Sequence, residues 1–195
     1  MQRPNAEPPA ALLIIDVQKG LDEPRWGARN NPQAEQRMSA LLAAWRRVKW
    51  PVIHVQHMST EPQSPLRPEL PGNAFKPEVM PREGETVFQK TVNSAFIGTT
   101  LETHLRHQGI RSLVIIGLTT DHCVSTTVRM AGNLGFEVVV VADATATFER
   151  KGPDGVHYSA EQMHRLALAS LHGEFAQVRS AEDVLTRVRA ETAAA

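Results

Sequence analysis

The chain has a single cysteine, Cys123, at the end of the run SLVIIGLTTDHC (112–123). A thiol there has two readings. Free cysteine is among the most buried residue types and often packs as a small hydrophobe. A thiol that follows a strand and a glycine, at the start of a helix, instead meets positive potential and free N–H groups, which lower its pKa and can hold an oxyanion. Asp121 or Thr120 would cap that helix. Asp16 ends the apolar run ALLIID (11–16), and Lys90 follows a short apolar run in VFQKTVNSAF (87–96). An isolated buried carboxylate is very costly, so Asp16 needs a partner: an ion pair of the fold, or a thiol whose proton it takes. Most lysines are solvated surface charges. Placed at three strand ends of one sheet, the three residues form a nucleophilic site. The acid abstracts the thiol proton, the ammonium keeps the acid charged, and the thiolate attacks.

Such a site needs strands that end at a common edge. Continuous rather than alternating apolarity in ALLIID (11–16), PVIHVQ (51–56), SLVIIG (112–117) and FEVVVVAD (136–143) predicts strands buried on both faces. Weaker strands are expected at 86–88 and at FAQV (175–178). Helical patterns lie at 33–48, 98–108, about 122–134 and 159–171, and Ser180 with Asp183 caps a closing helix at 181–190. This alternation predicts a three-layer α/β/α fold around a mostly parallel, Rossmann-like sheet of about six strands. In such sheets ligands bind beyond the carboxyl ends of the strands. Gln56 and His57 end the second strand there, His57 as a substrate contact or a polar strand end, while His54 packs inside. Histidines at i and i+3 of a strand point to opposite faces and do not share a metal. Gln18, Trp26 and Phe96 are candidates to line the pocket, Trp26 from the loop after the first strand.

The segment 57–85 holds Pro62, Pro65, Pro68, Pro71, Pro77 and Pro81, so it is neither helix nor central strand. Loops of that length are lids or binding loops, and this one is expected to cover the pocket mouth or pack on another subunit. Residues 1–9 read as a flexible tail ahead of a single domain at 10–190. The 195 residues balance 21 Lys+Arg against 21 Asp+Glu, which argues against a nucleic-acid surface. No apolar run approaches the roughly 18 residues of a membrane span, and Ala10–Ile15 is too short for a signal-peptide core. One cysteine forms no intrachain disulfide, so a reducing cytoplasm is the expected compartment. The loop KGPDGVHY (151–158) lacks G-x-G-x-x-G spacing, and nothing suggests nucleotide binding.

Three blocks in order, DVQKGL (16–21), FQKTVNSAFIGTTLETHL (88–105) and VIIGLTTDHCVSTTVRMAGNLGFEVVVVADATATF (114–148), resemble the isochorismatase-like cysteine hydrolase superfamily. That superfamily includes nicotinamidases and N-carbamoylsarcosine amidohydrolases. The resemblance covers about residues 10–180. It implies Asp16 as general base, Lys90 as catalytic lysine and Cys123 as nucleophile. It further implies a cis peptide at Leu118–Thr119, an oxyanion hole from the N–H groups of Thr119 and Cys123, and a homodimer or homotetramer. Metal-dependent members carry an Asp-x-His pair after the second strand. Here that region reads HVQHMSTEP (54–62), so no metal and no cofactor are expected. Cys123 together with Lys90 favours hydrolysis of a small-molecule amide. The alternatives are a vinyl ether or carbamoyl substrate, or a catalytically silent binding module on the same fold.

Overall fold

Strand β1 (Ala11–Ile15) shows why the chain forms layers. All five residues are buried, with Leu12 and Ile14 joining one apolar cluster and Ala11, Leu13 and Ile15 the other. Successive side chains leave a strand on opposite faces, so a continuous apolar run requires cover on both sides. The computed structural model describes residues 9–193, so the tail expected at 1–9 lies, apart from Pro9, outside the described residues. Helix α1 (Ala34–Val48) leads to β2 (Val52–His57), β3 (Thr86–Lys90), α2 (Leu101–His107) and β4 (Ser112–Leu118). Then come α3 (Ser125–Asn133), β5 (Glu137–Ala146), the short pair β6 (Arg150–Lys151) and β7 (His157–Tyr158), α4 (Ala160–Leu171), β8 (Gln177–Arg179) and α5 (Ala181–Ala193).

Six strands form one sheet in the order β3-β2-β1-β4-β5-β8, and every neighbouring pair is parallel. The antiparallel β6–β7 pair stands apart. One face of the sheet is covered by α1 and α5, through Met38, Leu41, Trp45 and Val188. The other carries α2, α3 and α4, through Leu101, Leu105, Val128 and Leu171. This is the three-layer α/β/α arrangement. Both closing helices start at reciprocal caps. Ser159 Oγ accepts from the Gln162 N–H while Gln162 Oε1 accepts from the Ser159 N–H, and Ser180 and Asp183 exchange the same pair of bonds ahead of α5.

Two details that bear on the site differ from expectation. β3 extends through Lys90, because its last residues pair with β2 up to His57↔Lys90. The helix expected at about 122–134 begins only at Ser125. Residues 120–124 form a π-helical turn, in which the Thr119 carbonyl accepts from the N–H groups of both His122 and Val124. Single π turns inside helical segments often occur at functional sites.

The proline-rich segment holds only two short 3-10 turns, Pro71–Asn73 and Pro77–Val79. It is tied to the β1–α1 connection. The Lys19 N–H donates to the Ala74 carbonyl, the Lys76 N–H to the Val17 carbonyl, and Lys76 Nζ pairs with Asp22 and Glu35. Among the described residues no helix is long and apolar enough to cross a membrane.

Candidate active site

In an all-parallel sheet the carboxyl ends of the strands share one edge. β1 leads directly into Asp16, β2 ends at His57, β3 at Lys90, and β4 runs through Gly117 into the turn that carries Cys123. The approach of β4 to β1 depends on Gly117. Its φ is +127°, and a Cβ there would lie 2.1 Å from the Ile15 carbonyl oxygen. Asp16 itself takes a left-handed backbone, φ +50°, a conformation that Asp tolerates better than most residues. The Leu118–Thr119 peptide is cis.

These ends bring four side chains together. Lys90 Nζ donates to Asp16 Oδ2 at 2.5 Å and to His57 Nδ1 at 2.9 Å. A carboxylate oxygen of Asp16, a ring nitrogen of His57 and Cys123 Sγ all lie within 4.8 Å of one another. Lys90 and Asp16 are 2% and 1% exposed, so this ion pair is out of water. Asp16 Oδ1 is buried and has no hydrogen-bond partner among the described residues. Cys123 Sγ donates to Asn93 Oδ1 at 3.8 Å.

The electrostatics of the site follow from burial and from the Lys90 ammonium within it. Burial pushes the Asp16 carboxyl above its ordinary value, against the pull of the Lys90 ammonium. Burial also pushes the Cys123 thiol well above its usual range, with the Asp16 charge adding to the rise and Lys90 opposing it. Burial and then the Lys90 charge hold the His57 imidazole down at about 4, so the ring is neutral at pH 7. The resting site is therefore a protonated thiol beside an acid with a free lone pair.

The turn carrying Cys123 is anchored away from the sulfur. Thr120 and Asp121, expected as helix caps, make no cap bond. Thr120 Oγ1 instead bonds His164 Nδ1 of α4 at 2.9 Å, and the Asp121 carboxylate accepts from Thr147 Oγ1 and from Arg150 Nε. The helix starts two residues past the cysteine, so those side chains are free for long-range partners.

Of the expected pocket residues, His57 falls inside the cluster. Gln18 does not line a pocket. It is fully buried behind His57, with Oε1 accepting the His57 N–H and Nε2 donating to the carbonyls of His57 and Asn73. Phe96 is half-buried and packs against the core, its ring stacked on Phe136 with centroids 5.9 Å apart, where the chain approaches the amino end of β5. Trp26 is half-buried, stacked on Phe148, and its indole donates to the Gly20 carbonyl. None of its described contacts reaches Asp16, Lys90 or Cys123. His54 is fully buried on the opposite face from His57, with Nε2 2.9 Å from Glu85 Oε2. Asn93 was not singled out from the sequence. It sits in a loop without periodicity, and only its place three residues after Lys90 marks it.

The donor set of Asp16, His57 and Cys123 has the residue types of a divalent-metal site. The Lys90 ammonium, however, already occupies Asp16 Oδ2 and His57 Nδ1. A second cation would have to displace that ammonium or sit beside it, so the residues present fit an internal lysine rather than a metal. A cavity of about 870 Å³ opens at the opposite, amino-terminal end of the sheet, between Trp45, Trp50, Phe136 and Phe175, and none of the four clustered residues lines it.

A parallel α/β sheet with an acid, a lysine and a thiol gathered at its carboxyl edge defines a recognisable class of protein. The isochorismatase domain matches residues 10–183. The isochorismatase family protein YrdC of Bacillus subtilis is 46% identical over 175 residues, spanning 90% of this chain and 94% of the relative. An isochorismatase-family structure from Chromobacterium violaceum shares 48% identity with a TM-score of 0.91, covering 95% of this chain and 96% of that one. A streptothricin hydrolase of Streptomyces noursei is 34% identical over 142 residues, 71% of this chain and 50% of the relative. The chain belongs to the isochorismatase family, whose members are hydrolases.

Proposed function

We propose that this protein hydrolyses the C–N bond of a small-molecule amide through a thioester on Cys123. The observation that carries the reading is the buried cluster itself, with the Cys123 sulfur within 4.8 Å of a carboxylate paired to Lys90. At rest the thiol keeps its proton. As substrate arrives, Asp16 accepts that proton and the thiolate forms a bond to the carbonyl carbon. The carbonyl electrons move onto oxygen, held by the N–H groups of Thr119 and Cys123. Collapse breaks the C–N bond, the proton passes from Asp16 to the leaving nitrogen, and the amine or ammonia departs. Water then gives a proton to Asp16 and adds to the thioester. Cys123 leaves as thiolate, recovers that proton, and the carboxylic acid is released. The sequence of steps needs no cofactor. A relative that is a streptothricin hydrolase agrees with hydrolysis of a small molecule. A reducing compartment, the cytoplasm, suits chemistry that depends on one free thiol, and a homodimer or homotetramer is the assembly we expect.

The test is a panel of small amides assayed for ammonia or amine release, with Cys123→Ala as the control. Turnover by the wild type, an acyl adduct on Cys123 and a dead variant support covalent catalysis. Wild-type rates in Cys123→Ala leave a water-based mechanism driven by Asp16. No turnover with slow thiol alkylation points to a silent binding module.

A further inference from the structure

We infer that His57 is the positioning residue of Lys90: its imidazole accepts the second hydrogen bond of the buried ammonium through Nδ1 and so fixes the direction in which Lys90 meets Asp16 beside Cys123. This deepens the reading above and rests on it.

The argument starts from donor counting. An ammonium only donates. Lys90 Nζ lies 2.9 Å from His57 Nδ1, so that nitrogen carries a lone pair and the ring proton is on Nε2. The ring stays neutral at pH 7 because burial and the lysine charge hold it at about 4. A lysine has four rotatable side-chain bonds, and one partner leaves its head free to swing about that contact. The second acceptor removes that freedom. His57 Nδ1 is 4.0 Å from Asp16 Oδ2, so the ammonium is gripped between two fixed points.

The backbone that carries the imidazole is fixed at both of its peptide groups. His57 and Lys90 are paired directly across the β2–β3 ladder, so their side chains leave the same face. The His57 N–H donates to Gln18 Oε1 at 2.8 Å, and its carbonyl accepts from Gln18 Nε2 at 3.0 Å and Asn73 Nδ2 at 2.9 Å. Two buried amides are thus committed to the peptide groups of one residue. Strand parity sends His54 to the other face, to Glu85, so no second histidine shares the task. The titratable groups facing the imidazole are Lys90 from β3, Asp16 from the end of β1 and Cys123 from the π turn.

Without the Nδ1 acceptor, Lys90 opposes the Asp16 carboxyl less effectively. The Asp16 pKa then rises further, and the acid limb of every Cys123-dependent rate moves to higher pH. Because the chain has one cysteine, iodoacetamide reports on Cys123 alone. We compare its alkylation rate against pH in wild type, His57→Leu, His57→Gln and His57→Asn. Asparagine places an oxygen near the position of Nδ1, whereas glutamine reaches past it and leucine has no acceptor.

The expected result is an acid limb shifted upward by about one pH unit in His57→Leu and His57→Gln, restored in His57→Asn. On a substrate from the amide panel, kcat should fall by about 10²-fold in the two shifted variants with KM little changed. Should His57→Leu fail to fold, His57→Gln against His57→Asn decides. Unshifted profiles in all variants overturn the inference, and so does equal impairment of His57→Gln and His57→Asn, which would mean that the ring itself is needed. The wider reading fails separately, through turnover by Cys123→Ala, whatever the alkylation profiles show.

Discussion

Lys90 and Lys76 are both buried lysines bonded to carboxylates, at 2.5 Å to Asp16 and at 2.6 Å to Glu35. Their acids behave in opposite ways. Glu35 is covered on both oxygens. Arg29 donates to Oε1 through Nη1 and to Oε2 through Nη2, and Lys76 adds a further bond to Oε1. Burial opposes its charge, but hydrogen bonds from Arg29 and Lys76 outweigh that and hold it at about 2. Asp16 is covered on Oδ2 only, Oδ1 has no partner, and burial keeps its carboxyl above the ordinary value. An acid with both oxygens held by cations is a fixed charge that joins α1 to two loops. An acid left half covered beside a thiol is a proton acceptor. The same two residue types make a clasp in one place and a reactive group in the other.

The comparison breaks most visibly if the two acids are neutralised in turn. Asp16→Asn should lower amide turnover by about 10²–10⁴-fold and slow alkylation of Cys123, with the fold retained because the amide oxygen still accepts from Lys90. Glu35→Gln should leave turnover within a few-fold of wild type and instead cost about 3 kcal/mol of stability in urea melts. Equal activity losses in the two variants would erase the distinction. The lysines sharpen it. Lys90→Ala should cost about 3–5 kcal/mol, since it strands a buried carboxylate, while Lys76→Ala should cost less because Arg29 still covers Glu35 and Asp22 is largely in water.

Acid should release the two regions in separate windows. The folded-state pKa of His57 lies below its unfolded value, so the unfolded chain binds the proton more readily. The stability contribution is complete above about pH 6.5 and is lost as pH falls towards about 4, on the order of 3 kcal/mol. Glu35 contributes fully above about pH 4.5, and its share goes as pH falls towards about 2. Melting curves at stepped pH should show the upper window shrink in His57→Leu and the lower one shrink in Glu35→Gln, with a remainder in each, because burial also holds His54 below its ordinary value and Glu85 is likewise held at about 2. The smallest effect expected is none: prolonged chelation should leave both turnover and melting temperature unchanged, and a stoichiometric metal at His57 would contradict the internal-lysine reading.

The layers and strand ends were legible because burial on both faces leaves a continuous apolar run, as in ALLIID and SLVIIG. Asp16, Lys90 and Cys123 stood out as polar residues closing or following such runs. Their supports were not legible. Gln18 is a pocket candidate from the sequence, yet the partners that occupy its amide, His57 and Asn73, lie 39 and 55 residues away. The π turn was hidden for a related reason. Thr120 and Asp121 are good capping types, and their use by His164 and Arg150 depends on contacts 44 and 29 residues distant. Local spacing reveals which residue ends a strand, and only tertiary pairing reveals what its side chain does next.

Gly117 has a consequence for how variation at this edge will be scored. A side chain there meets the Ile15 carbonyl oxygen, one residue before Asp16, and the main chain of β1 has nowhere to retreat between two covered faces. In a saturation-mutagenesis library, position 117 should tolerate nothing else and rank with position 123, although it carries no functional group. The two separate once abundance is read alongside activity. Substitutions at 117 should deplete soluble protein, whereas substitutions at 123 should leave abundance intact and silence each molecule individually.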